Sequence, residues 1–159
     1  MKFKKGETVI YPQHGACIVQ GTQKKTMFGE TKEYLVLRSV IGEMTLSVPL
    51  DKTEEVGVRP PVNPDELEDL VSVLSKSDPR VPSNWSRRFK NHQEKLKSGD
   101  VYQVAEVVRN LALREATKGL SAGEKAMLVK ARSVLVSELS FALNLSEDDA
   151  LKKLEEQLT

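Results

Sequence analysis

The stretch RPPVNPDEL at residues 59–67 divides the 159-residue chain into two parts with different hydrophobic periods. Before this stretch, short β-branched or alternating runs are separated by glycines at the spacing of hairpin turns, which is typical of strands. After it, apolar residues recur at the helical period of about 3.6 residues. Because prolines at 60, 61 and 64 mark the change of period, the sequence predicts an α+β protein with two domains, 1–62 and 63–159.

The first part predicts four short strands. They are Thr8–Tyr11, Ala16–Val19, Tyr34–Leu37 and Met44–Val48, with turns near Gly15, Gly29 and Gly42. Short strands joined by tight turns indicate a small, strongly bent sheet or barrel. In the last strand, period-two alternation would place Met44, Leu46 and Val48 on one face and the polar Thr45 and Ser47 on the other.

The second part predicts a compact bundle of about five helices. Asn63 offers an N-cap with a proline directly after it and Glu66 three residues on, and this helix would run to about Lys76. A loop rich in Ser, Asp and Pro follows. Further helices are predicted at about 84–99, 100–119, 121–143 and from Ser146, with caps at Ser83 or Asn84, Asp100, and Ser121 with Glu124. The helices at 100–119 and 121–143 are apolar over wide arcs and should form the centre of the bundle.

Charge is distributed unevenly along the chain, although the formal net charge is only +1. Residues 76–132 carry 13 basic and 6 acidic side chains, a net charge of +7, whereas 63–75 and 133–159 each carry a net charge of −4. A basic block with acidic flanks suits an anionic partner such as DNA, but a solvated surface of mixed charge would give the same pattern. The charge distribution alone leaves both interpretations open.

Several classes of protein are not supported by the residues. The single Cys17 cannot form an internal disulfide framework, and with only two histidines, His14 and His92, the chain lacks the ligands of a usual structural zinc site. Neither a Walker glycine loop nor a G-x-S-x-G or H-E-x-x-H motif occurs. We therefore expect no enzyme, no metal and no cofactor. Without an apolar run of membrane-spanning length or a signal peptide, we expect a cytoplasmic protein with no membrane partner.

The only tryptophan lies in SNWSRR at 83–88, at the start of a predicted helix. Trp85, Phe89 and Leu96 follow the apolar stripe of that helix, which favours a core role for the indole. The first position of a helix also allows a large ring to rest its base on the domain and to project beyond the helix end, bordered by the cation of Arg88. Both interpretations remain open from the residues alone.

Five separated blocks of the sequence resemble the CarD/CdnL family of bacterial transcription regulators, and its actinobacterial members in particular. The likeness covers nearly the whole chain, with the blocks in the family's order. They are KKGETVIYPQHGACIV at 4–19, KEYLVLR at 32–38, NWSRRFK at 84–90, KLKSGDVYQVAEVVRNL at 95–111 and GLSAGEKAMLVKAR at 119–132.

For the first domain, the resemblance implies a Tudor- or SH3-like fold similar to the polymerase-interacting domain of transcription-repair coupling factors. Such a domain would dock on the β subunit of the RNA polymerase holoenzyme. The positions that would make this contact are Lys25, Met27 and Ser47. Close relatives carry arginine at position 47, so the serine in this chain is expected to change the strength or the electrostatics of docking.

For the helical domain, the resemblance implies contact with promoter DNA without strong sequence specificity. Trp85 would act as a minor-groove wedge at the upstream edge of the transcription bubble, and basic side chains would grip the backbone. The expected DNA-binding residues are Trp85, Arg87, Arg88, Lys90, Lys125 and Lys130. The protein would then be a monomeric, non-enzymatic regulator that stabilises the open promoter complex and joins the nucleoid through the polymerase. The alternative is an adaptor that binds another peptide through its Tudor-like domain, assembles through its helices and has no DNA role.

Overall fold

A computed structural model of the chain describes residues 3–76 and 81–157, so residues 77–80 of the predicted Ser/Asp/Pro loop lie outside the described residues. The described elements are the strands β1 Thr8–Tyr11, β2 Gly15–Met27, β3 Glu30–Ser39 and β4 Thr45–Pro49, followed by the helices α1 Thr53–Val56, α2 Leu67–Ser75, α3 Trp85–Ser98, α4 Val101–Thr117, α5 Ala122–Leu143 and α6 Glu147–Gln157. Short 3-10 turns at Leu50–Lys52 and Pro64–Glu66 precede α1 and α2. The predicted α+β architecture is confirmed.

The strands form one antiparallel sheet in the order β1-β2-β3-β4. Strands β2 and β3 are much longer than predicted, because main-chain pairing continues through polar residues to Met27 opposite Glu30. Only the inner half of this hairpin is buried, and its outer half projects into solvent. The core of the sheet is Val9, Cys17, Val19, Leu35, Leu37, Val48 and Val58. The long hairpin therefore carries side chains away from the sheet core.

One detail of the predicted alternation in β4 is wrong. Val48 is buried and Leu46 packs against the sheet core, whereas Thr45 and Ser47 are exposed as expected. Met44 does not share the inner face: it precedes β4 and is half-exposed. The period-two rule fails here because the strand begins only at Thr45, so the alternation does not reach Met44.

Helices α3, α4 and α5 begin at capping residues that the sequence indicated, whereas Asn63 caps only the 3-10 turn Pro64–Glu66 and α2 begins at Leu67. The Asn84 side chain accepts a hydrogen bond from the Arg87 amide at 3.1 Å, and Asp100 accepts one from the Tyr102 amide at 2.9 Å. Ser121 and Glu124 form the predicted capping box of α5. Buried side chains of α4 and α5 dominate the apolar core of the bundle, with α2, α3 and α6 packed around them. Helix α1, which the sequence did not predict, ends at Gly57 in the left-handed conformation (φ +97°).

The sheet and the helices are in direct contact. Arg59 pairs its main chain with Ile10 of β1 as an isolated bridge, and its guanidinium reaches Glu138 towards the C-terminal end of α5, where the shorter of two charge-assisted contacts is 2.7 Å. Nearby, the amide of Ala16 donates to the Ser137 hydroxyl at 3.0 Å. The part of α5 around Glu138 thus lies against the first turn of the sheet.

Two further features bear on the classes of protein considered above. Within residues 3–76 and 81–157, no helix is long and apolar enough to cross a membrane. The same residues contain no group of three or more His, Cys, Asp or Glu side chains able to hold a metal ion.

His92 gives the helical core a pH-dependent stability. The imidazole is almost completely buried, and its Nε2 lies 3.4 Å from the Asn110 amide nitrogen. Burial, assisted by the nearby Lys95 ammonium, lowers the pKa of His92 to about 4. The unfolded chain therefore takes up this proton at a higher pH than the folded chain does.

We expect the free energy of unfolding to fall by about 2 kcal/mol between pH 7 and pH 5, because in that range the unfolded state binds the His92 proton and the folded state does not. Urea titrations at the two pH values measure this change in the free energy of unfolding. His92→Gln should flatten this dependence, whereas His14→Gln, which changes the other histidine, should retain most of it. If the free energy of unfolding depended on pH equally in the wild type and in His92→Gln, His92 would not be the source of the dependence.

Candidate nucleic-acid and partner-protein interfaces

The Trp85 ring is neither buried in the core nor free. It is the first residue of α3, and 45% of its surface is exposed. One face stacks on Phe89, with ring centroids 4.9 Å apart and planes 18° from parallel, while the indole N–H donates to the Ser121 hydroxyl at 2.9 Å. The indole is therefore fixed in orientation and still presents much of its surface to a partner.

Gly123 in the first turn of α5 gives these rings their space. A Cβ atom at this position would lie 3.2 Å from the edge of Phe89 and 3.9 Å from the Trp85 ring. The absence of a side chain lets the stacked pair approach the N-terminal end of α5. The helix N-terminus, with its exposed amide dipoles, thus lies beside the tryptophan.

A buried ion pair lies directly behind this surface. Arg88 and Glu124 are each only 2% exposed, and the guanidinium donates to both carboxylate oxygens, at 2.8 and 3.3 Å. Glu124 also accepts from the hydroxyl and the amide of Ser121. The hydrogen bonds from Arg88, which are the main cause, and those from Ser121 lower the pKa of Glu124 to about 2. The carboxylate therefore stays ionised, and it links the ion pair to the residue that holds the indole.

This placement corrects the prediction for Arg88. We expected Arg88 to contact DNA, but its guanidinium points into the bundle and is satisfied by Glu124 and by the carbonyls of Pro82 and Ser83. Exposing it would leave a buried carboxylate without its partner, which is strongly unfavourable. Arg88 thus supports the surface from behind and does not form part of it.

The other predicted DNA-binding cations are exposed but do not form a single cluster. Arg87 and Lys90 lie on α3, and Lys125 lies one turn into α5, close to the residue that binds the indole. Within residues 3–76 and 81–157, none of these three side chains has a carboxylate at salt-bridge distance. Lys130 is exposed too, but it lines a cavity of about 270 Å³ with His14 and Ile41, which lie in turns between the strands. Arg87 and Lys90 come two and five residues after Trp85, spacings that turn them to other sides of α3 from the indole, and Lys130 lies farther along α5 than Lys125.

The three residues predicted to contact the polymerase lie on or beside the long hairpin. The Lys25 ammonium donates to the Ser47 hydroxyl at 3.3 Å and lies 5.4 Å from the centre of the Tyr34 ring. The Tyr34 hydroxyl in turn donates to the Met27 sulfur at 3.8 Å. These contacts form one surface across β2, β3 and β4, which we call the hairpin surface (Lys25, Met27, Tyr34 and Ser47).

Phe28 at the hairpin tip was missed by the sequence reasoning. Its side chain is fully exposed, and its φ of +53° is followed by +79° at Gly29, which makes a two-residue turn with both residues in the left-handed region. Such turns favour Asn or Asp at the first position, and an ordinary side chain there costs about 1 kcal/mol. An aromatic ring at this position is not explained by turn geometry. The sequence signal for this exposed ring was the dipeptide Phe28-Gly29 at a turn position where Asn-Gly is usual.

Comparison with known proteins gives these surfaces a family context. Residues 69–155, more than half of the chain, match the family model described as CarD, C-terminal domain. The chain belongs to the CarD family. Residues 3–62 match the model described as CarD-like/TRCF RID domain. A protein of Bacillus subtilis (strain 168) named "Putative transcription factor YdeB" is 33% identical over 147 residues, which cover 91% of this chain and 95% of that protein. The resemblance seen in the sequence blocks is confirmed.

Ser121 has two roles in this CarD-family chain, and they can be separated. We expect Ser121→Ala to lower the free energy of unfolding by about 1 kcal/mol through loss of the α5 cap, and also to change the near-UV circular dichroism of Trp85. Ser146→Ala removes the matching cap of α6, where the Asp149 amide donates to the serine hydroxyl at 3.1 Å. That control should lose similar stability with the tryptophan bands unchanged. Identical bands in both variants would show that Ser121 does not orient the ring.

Proposed function

We propose that this CarD-family protein is a non-enzymatic transcription regulator that docks on the β subunit of RNA polymerase and stabilises the open promoter complex. The hairpin surface makes the polymerase contact, and Trp85 acts as a wedge in the minor groove at the upstream edge of the bubble. Family membership supports the role in transcription. The observation that carries the finer proposal is the indole held by Phe89 and Ser121 with much of its surface exposed.

The exposed cations on α3 and α5 suit phosphate contacts. The ring lies next to the N-terminus of α5, where free amides and the helix dipole favour anions, and Lys125 is exposed one turn into that helix. Arg87 and Lys90 add exposed positive charge on other sides of α3. A few contacts of this kind give weak, salt-sensitive and sequence-independent binding, with Kd on the order of 10⁻⁴ to 10⁻⁶ M. Alone, this surface would rarely occupy a promoter.

Docking on polymerase resolves that weakness. A second site on the same assembly raises the local concentration of the helical surface to roughly the millimolar range, above the weak Kd for DNA. The surface is then occupied wherever the polymerase has placed it. Positioning by the polymerase takes the place of base-specific readout.

The wedge acts on the equilibrium between closed and open complexes. Unstacking an intact base step costs about a few kcal/mol, so an indole binds better where melting has already disrupted the stack. A preference of about 1.4 kcal/mol for the open complex shifts the equilibrium tenfold towards it. The protein would therefore slow the collapse of the bubble.

Docking through the edge of the sheet is consistent with the strand order. Strand β4 pairs only with β3 in the described sheet, so its other edge is available for main-chain pairing with a strand of the polymerase. Ser47 lies on this edge strand and Lys25 reaches it across β3. Side chains of the hairpin surface would then select the partner, and Phe28 would add an aromatic anchor at the tip.

Removing the indole should shorten the open complex. We expect Trp85→Ala to reduce the lifetime of the polymerase–promoter open complex about tenfold relative to the wild type, in line with the preference above. The control is Phe141→Ala, which removes another partly exposed aromatic ring at the far end of α5. Equal lifetimes for Trp85→Ala and wild type, with folding intact, would exclude the wedge. Salt-independent association of the full chain with DNA, or none, would favour the adaptor alternative.

The hairpin surface should control polymerase binding separately from DNA binding. We expect Lys25→Glu to weaken binding to the β subunit about tenfold or more through charge reversal, with Lys152→Glu on α6 as the matched control.

Phe28→Asn should raise the free energy of unfolding by about 1 kcal/mol, because asparagine suits the turn, yet lower polymerase affinity. Both variants should keep wild-type affinity for DNA. Loss of both binding activities together would contradict separate surfaces.

A further inference from the structure

The junction between the sheet and the helices contains a buried charged cluster. Glu138 is 2% exposed, and its two carboxylate oxygens accept hydrogen bonds from the Arg59 guanidinium at 2.7 and 2.8 Å. The amide of Val62 donates to the same carboxylate at 2.7 Å. Arg59 also donates to the carbonyl of Gly99, at 2.8 and 3.0 Å, in the turn between α3 and α4. One arginine thus joins the sheet to two helical elements.

Two glycines allow further close contacts between the sheet and the helices. A Cβ atom at Gly15, the first residue of β2, would lie 2.5 Å from the Ser137 hydroxyl and 3.3 Å from the main chain of Val134. A Cβ at Gly99 would lie 2.8 Å from the Pro12 ring. Both glycines also have positive φ, +73° and +72°. The sheet therefore meets the helices at two points, with little room for sliding.

We propose that the Arg59–Glu138 pair fixes the placement of Trp85 relative to the hairpin surface, and that both residues are positioning residues for open-complex stabilisation. This inference rests on the function proposed above. It adds that docking and wedge insertion are coupled through a rigid junction. Tethering the two surfaces to one chain is then not sufficient to stabilise the open complex.

The chemistry of the pair favours this over a purely stabilising role. Desolvating two charges costs several kcal/mol, so a buried ion pair is often no more stabilising than apolar residues of the same size. The pair instead restricts the orientation of the sheet relative to α5, because a planar guanidinium can bind a carboxylate and a carbonyl together in only a few relative orientations. An apolar contact of equal area would allow the two surfaces to shift against each other.

Helix α5 connects this junction to the indole. Ser121 at its N-terminus binds the Trp85 N–H, and Glu138 lies 17 residues farther along, a distance of about 26 Å at 1.5 Å per residue. On the other side, Arg59 is paired with β1 of the sheet that carries the hairpin. A change of angle at Glu138 would therefore be amplified over the length of the helix, and at 26 Å a tilt of about 10° displaces the indole by roughly 4 to 5 Å.

The test uses the full chain with the pair replaced by uncharged residues of similar length. In the double variant Arg59→Met with Glu138→Gln, no charge is left unpaired and the glutamine oxygen can still accept from Val62. The matched control is Lys95→Met with Glu106→Gln, which removes a 3.1 Å ion pair between α3 and α4 within the helical part. Arg59→Lys is a milder second variant that keeps the positive charge but loses the bidentate hydrogen bonding of the guanidinium. Spin labels at Thr22→Cys and Lys152→Cys report the distance distribution across the junction.

We expect the double variant to bind the polymerase β subunit within about twofold of wild type, to broaden the label distance distribution and to shorten open-complex lifetime about fivefold or more, which is the low end of usual coupling between sites. Arg59→Lys should fall between wild type and the double variant, and the α3–α4 control should match wild type. If the double variant does not fold, Arg59→Lys carries the comparison.

Other outcomes would overturn the proposal. An unchanged lifetime despite a broadened distribution would show that placement is not needed, and an unchanged distribution would show that the pair does not fix the junction. Failure of the proposed function looks different: the wild type itself would then neither bind polymerase nor lengthen the open complex, while the label distances would still decide whether the pair fixes the junction.

Discussion

Two buried carboxylates on one helix organise the whole molecule. Glu124 and Glu138 lie on α5, each 2% exposed, and each requires an arginine from another element. They are 14 residues apart, or nearly four turns, which places them on similar sides of the helix about 21 Å from each other. Because a buried carboxylate without a partner is strongly unfavourable, Arg88 and Arg59 are held in place, and with them the start of α3 and the end of the sheet.

This arrangement explains why two very different surfaces can share a small chain. At one end of α5, Ser121 binds a half-exposed indole and Arg88 pairs with Glu124 behind it. Towards its other end, Arg59 connects the helix to a sheet whose long hairpin presents Lys25, Met27 and Phe28. The apolar core of the bundle supplies the rigidity between them. Charge pairs set the direction of the elements, and the hydrophobic core supplies most of the stabilisation.

Much of the fold could be predicted because its signals are local. The caps at Asn84, Asp100 and Ser121 act within three residues of themselves, so the starts of α3, α4 and α5 were readable from the sequence. The outer half of the hairpin was not, since its polar residues are held in strands by cross-strand pairing that no periodicity shows. Helix α1 has only four residues and no amphipathic pattern to reveal it.

The candidate sites were only partly readable, for a related reason. Trp85 could be placed at a helix start, but its exposure depends on Phe89 stacking and on Ser121, which lies 36 residues away. Arg88 was assigned to the surface because its partner Glu124 is equally distant in sequence. The Arg59–Glu138 pair spans 79 residues, beyond any local pattern. Local chemistry defines the elements, whereas long-range pairs decide which charges reach solvent.

The Ser121 hydroxyl gives the indole a conditional anchor. The same oxygen binds the Trp85 N–H, accepts from the Glu124 amide and donates to the Glu124 carboxylate. Helix ends fray far more readily than whole domains unfold. Here Glu124 lies in the first turn of α5, so the buried pair with Arg88 opposes fraying and keeps the indole anchored for as long as the bundle is folded.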